Sequence, residues 1–318
     1  MFPLKPKVYI DGKDGTTGLQ IYDRLASRTD IDLLLIDEDK RKDAQERKRF
    51  LNAADLVFLC LPDDAAREAV SMIENPDTRV IDASTAHRTA PGWTYGFPEL
   101  KAGQRAAIAA SKRIANPGCH ATGFISIVSP LVQTGILPAD TALSCFSLTG
   151  YSGGGKKMIA QYESPGREAL LGSPCPYGLG QTHKHLPEMQ AVCGLAEMPV
   201  FVPIVDDYYK GMAATVPFHM HQLRGVTTLR QVREALAEHY AAYPGDAMVE
   251  VAPLEPPTAR LYGAELAGSD HLRLVAAGND ERFTITALFD NLGKGASGAA
   301  VQNMNLALGF AETTGLSR

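Results

Sequence analysis

The strongest constraint on the fold is an alternation of apolar strands and amphipathic helices that starts at a glycine turn. Val8-Tyr9-Ile10-Asp11 reads as a buried strand and Gly12-Lys13-Asp14-Gly15-Thr16-Thr17-Gly18 as the turn, while Leu19, Ile21, Tyr22 and Leu25 have helical spacing. Backbone N–H groups at such a helix start attract an anion, and glycine lets a phosphate come close. The spacing here is GxxGxxG, not the commoner GxGxxG, and a glycine turn after a strand is a weak signal by itself. The succession that follows strengthens it. Residues 31–36 predict a second strand ending in Asp37-Glu38, and residues 39–53 a charged amphipathic helix. Residues 56–61 are apolar throughout, as in a parallel sheet covered on both faces. Pro62-Asp63-Asp64 then caps a helix over 65–73, and Arg79-Val80-Ile81-Asp82 is a fourth strand leading to Ser84, His87 and Arg88. The pattern predicts an α/β chain with a doubly wound, Rossmann-like nucleotide-binding domain, whose ligands sit at the carboxyl ends of its strands.

Beyond residue 132 the texture changes. Residues 142–149, 200–205, 213–220 and 283–289 are strands of alternating or mixed polarity, which predicts an antiparallel or mixed sheet with one exposed face. Residues 229–240 form an amphipathic helix, 245–257 a proline-rich connection, and 296–311 a long terminal helix. A chain of 318 residues is long for one core, so two domains are expected. A net charge of −5, with basic clusters only at Lys40-Arg41-Lys42 and Arg47-Lys48-Arg49 amid acids, gives no nucleic-acid footprint. No apolar run suits a signal peptide or a membrane span. Five scattered cysteines without a CxxC pair fit free thiols in a reducing cytoplasm.

The chemistry concentrates in Asn116-Pro117-Gly118-Cys119-His120-Ala121-Thr122-Gly123, where the backbone turns and a helix begins near Cys119. A thiol at a helix N-terminus faces unpaired N–H groups that favour thiolate, the nucleophilic form. The plainer alternative is a buried structural cysteine. Tyr177 to Glu188 packs His183, His185 and Glu188 into one stretch. It suits a general base at His183 held by neighbours such as Glu188, a solvated polar loop, or a metal site. A metal needs three or four ligands, and beyond Cys119 no further ligand motif has the right spacing. The pair His219 and His221 lies in an alternating strand and reads as a surface pair. Gly150-Tyr151-Ser152-Gly153-Gly154-Gly155-Lys156-Lys157 is an anion cradle or a surface turn. Asp290-Asn291-Leu292-Gly293-Lys294 precedes the last helix as a ligand-holding stretch or an N-cap turn. Ser84 and Arg88, at the end of the fourth strand, are placed to meet a substrate anion. A dinucleotide site, an activated thiol, a histidine and an anion site together suggest reduction of an acyl phosphate through a thioester, the hydride coming from a nicotinamide.

These residues also carry a resemblance. The stretches 11–19, 59–69, 82–88, 116–123, 150–157, 183–188 and 290–305 resemble the N-acetyl-gamma-glutamyl-phosphate reductases of arginine biosynthesis, in their shorter type 2 subfamily. The resemblance implies Cys119 as nucleophile, His183 as acid/base, Glu188 as its partner and Tyr177 in the same site. Ser84, Arg88 and Asn116 become candidate substrate or phosphate contacts. Gly12, Gly15, Thr16, Thr17, Gly18, Ser152, Gly153, Gly154, Asn291 and Lys294 become candidate cofactor contacts. It implies a nucleotide domain of residues 1–117 completed by 290–318, and a catalytic and oligomerisation domain, α+β in class, of residues 118–289. It also implies NADP (NADPH) as cofactor, no metal, a small-molecule substrate and a homo-oligomer, dimer or tetramer. Asp37-Glu38 matches the acidic ribose clamp of NAD enzymes, whereas Lys40 and Arg41 suit a 2′-phosphate. The rival readings are an aspartate-semialdehyde dehydrogenase, which resembles this family in fold and chemistry, a non-catalytic nucleotide-binding regulator and a zinc hydrolase.

Overall fold

Val8, Tyr9, Ile10 and Asp11 are all buried because their strand, β1 (Lys7–Asp11), lies between two parallel neighbours. The computed structural model describes residues 5–242, 247–254 and 259–317. The chain divides into two units. The first comprises the residues up to Pro98 together with Gly103–Pro117 and Ala296–Leu316, and the second Glu99–Ala102, Gly118–Gly295 and Ser317.

In the first unit β1 leads through the glycine turn into α1 (Thr16–Leu25) and β2 (Asp32–Leu34). It continues through α2 (Ala44–Ala53), β3 (Leu56–Leu59), α3 (Asp63–Ser71), β4 (Arg79–Asp82), β5 (Thr94–Tyr95), α4 (Gln104–Ala110) and β6 (Arg113–Ala115). The sheet order is β2-β1-β3-β4-β6-β5, all parallel. This is the doubly wound sheet that the alternation predicts. Successive strand residues point to opposite faces. Val8, Ile10, Phe58 and Ile81 therefore join one layer with Ile21, Leu25 and, from the terminal helix, Val301 and Met304. Tyr9, Val57, Leu59 and Val80 join the other with Leu51, Ala66 and Ala69. Strand order reverses between β1 and β3, and the crevice outside the carboxyl ends at such a switch is where open α/β sheets bind ligands.

Local chemistry shortens several predicted elements. The second strand is Asp32–Leu34, not 31–36, because as an edge strand it pairs with β1 alone, over three residues. Helix α2 starts at Ala44, not Asp39, because Asp43 is its N-cap and accepts the Glu46 N–H at 2.9 Å. Helix α3 starts at Asp63 with Pro62 at the cap, and no side chain caps it. The Asp63 carboxylate is instead occupied by the N–H and hydroxyl of Thr85.

The second unit opens with α5 (Cys119–Gln133), followed by β7 (Ser144–Gly150), a 3-10 turn at Tyr151–Gly154, α6 (Gly155–Tyr162) and β8 (Cys175–Pro176). Then come α7 (Leu186–Cys193), β9 (Val200–Asp206), β10 (Met212–His219), α8 (Leu229–Ala241), β11 (Val249–Val251), β12 (Leu272–Gly278) and β13 (Arg282–Phe289). Its seven strands run β11-β12-β13-β10-β7-β9-β8, parallel at β11/β12 and β7/β9 and antiparallel elsewhere, so the sheet is mixed. Helix α5 packs on β10 and β13, and α8 on β11 and β12. On the strands nearest one end, Phe146 and Val200 remain exposed. Five strands, β5, β6, β8, β11 and β12, escape the sequence pattern. β5, β6, β8 and β12 fall where the pattern places no element, and β11 lies inside the predicted proline-rich connection, of which 245–246 and 255–257 lie outside the described residues. The terminal helix α9 spans Gly298–Leu308, preceded by one π-helical turn at Gly293–Ser297 that takes up the start predicted at 296.

Candidate active site

Gly118-Cys119 folds as a helix start because Pro117 and Gly118 break the preceding strand and Gly118 takes an extended N-cap conformation (φ −80°, ψ 145°) without a side-chain cap. Cys119 is thus the first residue of a fifteen-residue helix and is partly accessible, with the uncapped N–H groups and positive dipole end beside its sulfur. The turn is fixed from below, since the Gly118 N–H donates to Glu188 Oε1 at 2.9 Å. Glu188 is 1% exposed in the first turn of α7, where a carboxylate suits the dipole. Gly295 closes the other flank. A Cβ there would stand 2.9 Å from the Cys119 Cβ and 3.2 Å from Phe289, so only glycine lets the two backbones approach.

Around this thiol the second unit gathers aromatic and imidazole rings. His120 is buried, with Nδ1 2.7 Å from Ser147 Oγ and Nε2 2.9 Å from Tyr177 Oη. His183 packs edge-on against His120, Tyr177, His185 and Phe201, at centroid distances of 5.6, 6.0, 4.8 and 5.1 Å. Its Nδ1 accepts the His185 N–H at 3.3 Å, a bond that orients the ring. Burial, with help from His183 and Lys184, pushes the His120 imidazole down to about 3, so this ring is neutral at any working pH. Burial and the neighbouring Cys119 push the Tyr177 phenol up, so it stays protonated. The carrying loop is tied to β9: Gln181, at φ 54°, exchanges two side-chain hydrogen bonds of 2.8 and 2.9 Å with the Phe201 backbone. A non-glycine residue in that region is strained, and strain persists where its surroundings over-determine it.

The structure therefore brings Cys119, His183, Glu188 and Tyr177 into one unit and one neighbourhood, and adds His120, Ser147 and Gln181. Among these, His120 stood next to the cysteine, and Ser147 left a signal on β7. There the buried side reads Cys145-Ser147-Thr149, polar where an alternating strand should be apolar. Gln181 left none, because a positive φ depends on its bonds to β9.

In the same unit Asn291 donates to Ser152 Oγ at 3.0 Å and accepts the Gly211 N–H at 2.8 Å, locking the glycine-rich loop. Gly153 and Gly154 belong to that loop's 3-10 turn. The Lys294 ammonium is buried on both Glu99 oxygens at 2.8 Å. Among the described residues no cluster of three or more His, Cys, Asp or Glu could hold a metal ion.

The first unit carries the other candidates. Gly12 has φ +87°, and a Cβ there would lie 2.4 Å from the Cys60 carbonyl oxygen. A Cβ on Gly18 would meet the Gly12 oxygen at 2.4 Å. Gly15 is the N-cap of α1 with no side-chain cap, and Thr16 and Thr17 open the helix. The Thr16 hydroxyl is buried with no hydrogen-bond partner among the described residues. An uncapped helix start, an orphaned hydroxyl and two glycines in forced contact fit a pyrophosphate cradle. Beside it lies a cavity of about 470 Å³ lined by Gly12, Lys13, Leu34, Glu38, Arg41 and Lys42 among others. Arg41 pairs there with Asp14 and, at 2.8 Å, with Glu38. The buried Asp82 carboxylate accepts the Ser84 N–H and hydroxyl and bonds His87 Nδ1 at 2.6 Å. Arg88 donates to the carbonyls of Asn116 and Ala83, and the buried Asn116 amide bonds Ala296 and Asn303.

The chain matches the semialdehyde dehydrogenase dimerisation-domain family over residues 119–291 and the semialdehyde dehydrogenase NAD-binding-domain family over residues 36–109. It is 49% identical to N-acetyl-gamma-glutamyl-phosphate reductase of Brucella anthropi, over 96% of this chain and 99% of the relative. It belongs to the N-acetyl-gamma-glutamyl-phosphate reductase family. A second member, N-acetyl-gamma-glutamyl-phosphate reductase 2 of Pseudomonas putida, is 48% identical over 98% of this chain and 99% of its own length. The fold reaches further than the family. Aspartate semialdehyde dehydrogenase II of Vibrio cholerae superposes with a TM-score of 0.72 at 17% identity, over 96% of this chain and 99% of that one. Aspartate semialdehyde dehydrogenase of Candida albicans, solved with NADP, does so at 0.65 and 15%, over 98% of this chain and 99% of that one. At such identities the likeness concerns the fold. The reductase family is the one the motifs resemble, and for the aspartate-semialdehyde alternative the likeness shown is one of fold.

Proposed function

We propose that this chain reduces N-acetyl-gamma-glutamyl phosphate to N-acetylglutamate 5-semialdehyde and phosphate with NADPH, through a thioester on Cys119. The observation that carries the thioester is Cys119 itself, partly accessible at the uncapped start of α5 and neighbour to Tyr177, which His120 and His183 adjoin. Its thiolate attacks the acyl carbon, the C–S bond forms, and the bond from carbon to the phosphate oxygen breaks. NADPH, when bound, supplies the hydride that turns the thioester into the aldehyde and frees the thiolate. His183 takes the thiol proton and returns it during collapse, its ring aimed by the His185 N–H. Glu188 works through the Gly118 N–H that it holds, keeping the cysteine turn in place. Ser84, Arg88 and Asn116 remain the candidates for substrate contact, with Arg88 the one cation.

For the cofactor, Gly12, Gly15, Thr16, Thr17 and Gly18 hold the pyrophosphate, and Arg41 and Lys42 line the cavity where a 2′-phosphate would be met. Ser152, Gly153, Gly154, Asn291 and Lys294 act as the second cofactor group, with Asn291 holding the loop through Ser152 and Lys294 set on Glu99. The functional division is a nucleotide domain of residues 1–117 with the C-terminal segment and a catalytic domain between. We further propose a homo-oligomer, joined through the sheet that leaves Phe146, Met198 and Val200 exposed, working in the cytoplasm. No helix among the described residues is long and apolar enough to cross a membrane.

The test is phosphate-dependent reduction of NADP⁺, the reverse reaction, with N-acetylglutamate semialdehyde and aspartate semialdehyde in parallel. Turnover with the first alone is expected. Turnover with the second alone would keep the thioester and change the substrate, and silence with both would remove the enzymatic reading.

A further inference from the structure

His120 follows the proposed nucleophile in sequence, yet the thioester chemistry gives it no task. Its ring is 3% exposed and bonded at both nitrogens, to Ser147 Oγ at 2.7 Å and to Tyr177 Oη at 2.9 Å. Tyr177, His183 and Lys184 face it from the loop before α7, and His185 from the start of α7. Its neutral ring carries one N–H and one lone pair, so the chain Ser147–His120–Tyr177 has a single direction.

The direction follows from burial. Were Nδ1 protonated, Ser147 would accept from it, and the Ser147 proton would need another acceptor. Ser147 is 0% exposed and no other hydrogen bond of its hydroxyl exists among the described residues. A buried donor left unmet carries its desolvation penalty without return. In the opposite sense every buried group is met: the Ser147 hydroxyl donates to Nδ1, and Nε2–H donates to the Tyr177 oxygen. The phenol proton is then left over, on a ring that is only partly buried and within electrostatic reach of Cys119.

We infer that Ser147 and His120 are positioning residues that fix the Nε2–H tautomer and so reserve the Tyr177 hydroxyl as a hydrogen-bond donor to the acyl oxygen on Cys119. The inference rests on the acyl chemistry proposed above. No proton changes hands: the phenol keeps its hydrogen and stabilises the negative charge that gathers on the oxygen as the tetrahedral centre forms. One such donor is worth about 10²–10³-fold in kcat.

Two measurements on the full chain decide it. With ¹⁵N-labelled histidine, NMR should show His120 as the Nε2–H tautomer from about pH 5 to 9, the range in which an ordinary imidazole titrates. An Nδ1–H tautomer, or protonation in that range, overturns the inference, and this result does not depend on the substrate. In the reverse assay His120→Phe and Tyr177→Phe should each lower kcat about 10²-fold with KM for the semialdehyde nearly unchanged, and the double variant should lose no more than either. Additive losses, or single losses below roughly tenfold, overturn it. If the wild type turned over no semialdehyde, the proposed reaction would fall, while the tautomer would still decide the direction of the chain.

Discussion

At the scale of single residues one thiol stands apart from the buried ones. Burial pushes the Cys145 thiol up to about 12 and raises Cys60 and Cys193 as well, and Cys145 and Cys193 have almost no accessible surface. Cys119 differs by standing, as a partly accessible residue, at a helix start. Cys119→Ser should abolish phosphate-dependent turnover while NADPH binding, followed by fluorescence titration, stays nearly unchanged. Comparable turnover in the variant would remove the thioester from the mechanism. His183→Asn should slow the reaction about 10²–10⁴-fold, the range for a general acid–base group. A loss below tenfold would transfer that role to His185. Cys119 and His183 were legible because each stands in a short, chemically dense motif. The tautomer of His120 was not, because it is set by Ser147, a residue on a strand and distant in sequence.

At the scale of elements the positions that matter most are those where backbones meet. Helix α5 can place Cys119 only because Gly295 has no side chain, and Gly123 similarly admits Ala214 and Phe289 against the helix. Gly295→Ala would put a Cβ 2.9 Å from the Cys119 Cβ, which no flexible side chain can absorb. Overpacking of this kind costs about 1–3 kcal/mol. The expected result is a lower melting temperature and a kcat reduced at least tenfold, read from a thermal melt and the reverse assay. Wild-type behaviour in both would mean that α5 shifts freely. An element boundary was legible where the break is local, as at Pro117-Gly118 just before Cys119. Another was misread where a side chain answers to another segment: Asp63, expected as a cap, is taken by Thr85.

At the scale of the whole molecule the chain leaves and rejoins its second unit more than once, and Glu99–Ala102 is a short excursion into it. Glu99 and Lys294 form a fully buried pair there, with side chains 2% and 1% exposed. Removing one partner strands the other charge, which costs about 3–5 kcal/mol. Glu99→Gln or Lys294→Met alone should lower the denaturation midpoint markedly, and the double variant should recover much of the loss. A double variant as unstable as the sum of both singles would show that the pair is not the reason for their burial. The sequence by itself determined the α/β alternation, the glycine turn, the helix that starts at Cys119 and the family, because each rests on neighbours within a few residues. Only the tertiary structure decided that Glu188 holds the Gly118 N–H, that Ser147 orients His120 toward Tyr177, that β11 and β12 complete the mixed sheet, and that Lys294 lies on Glu99. Those facts join residues far apart along the chain, and nothing in local propensity records a partner that folding alone brings within hydrogen-bond reach.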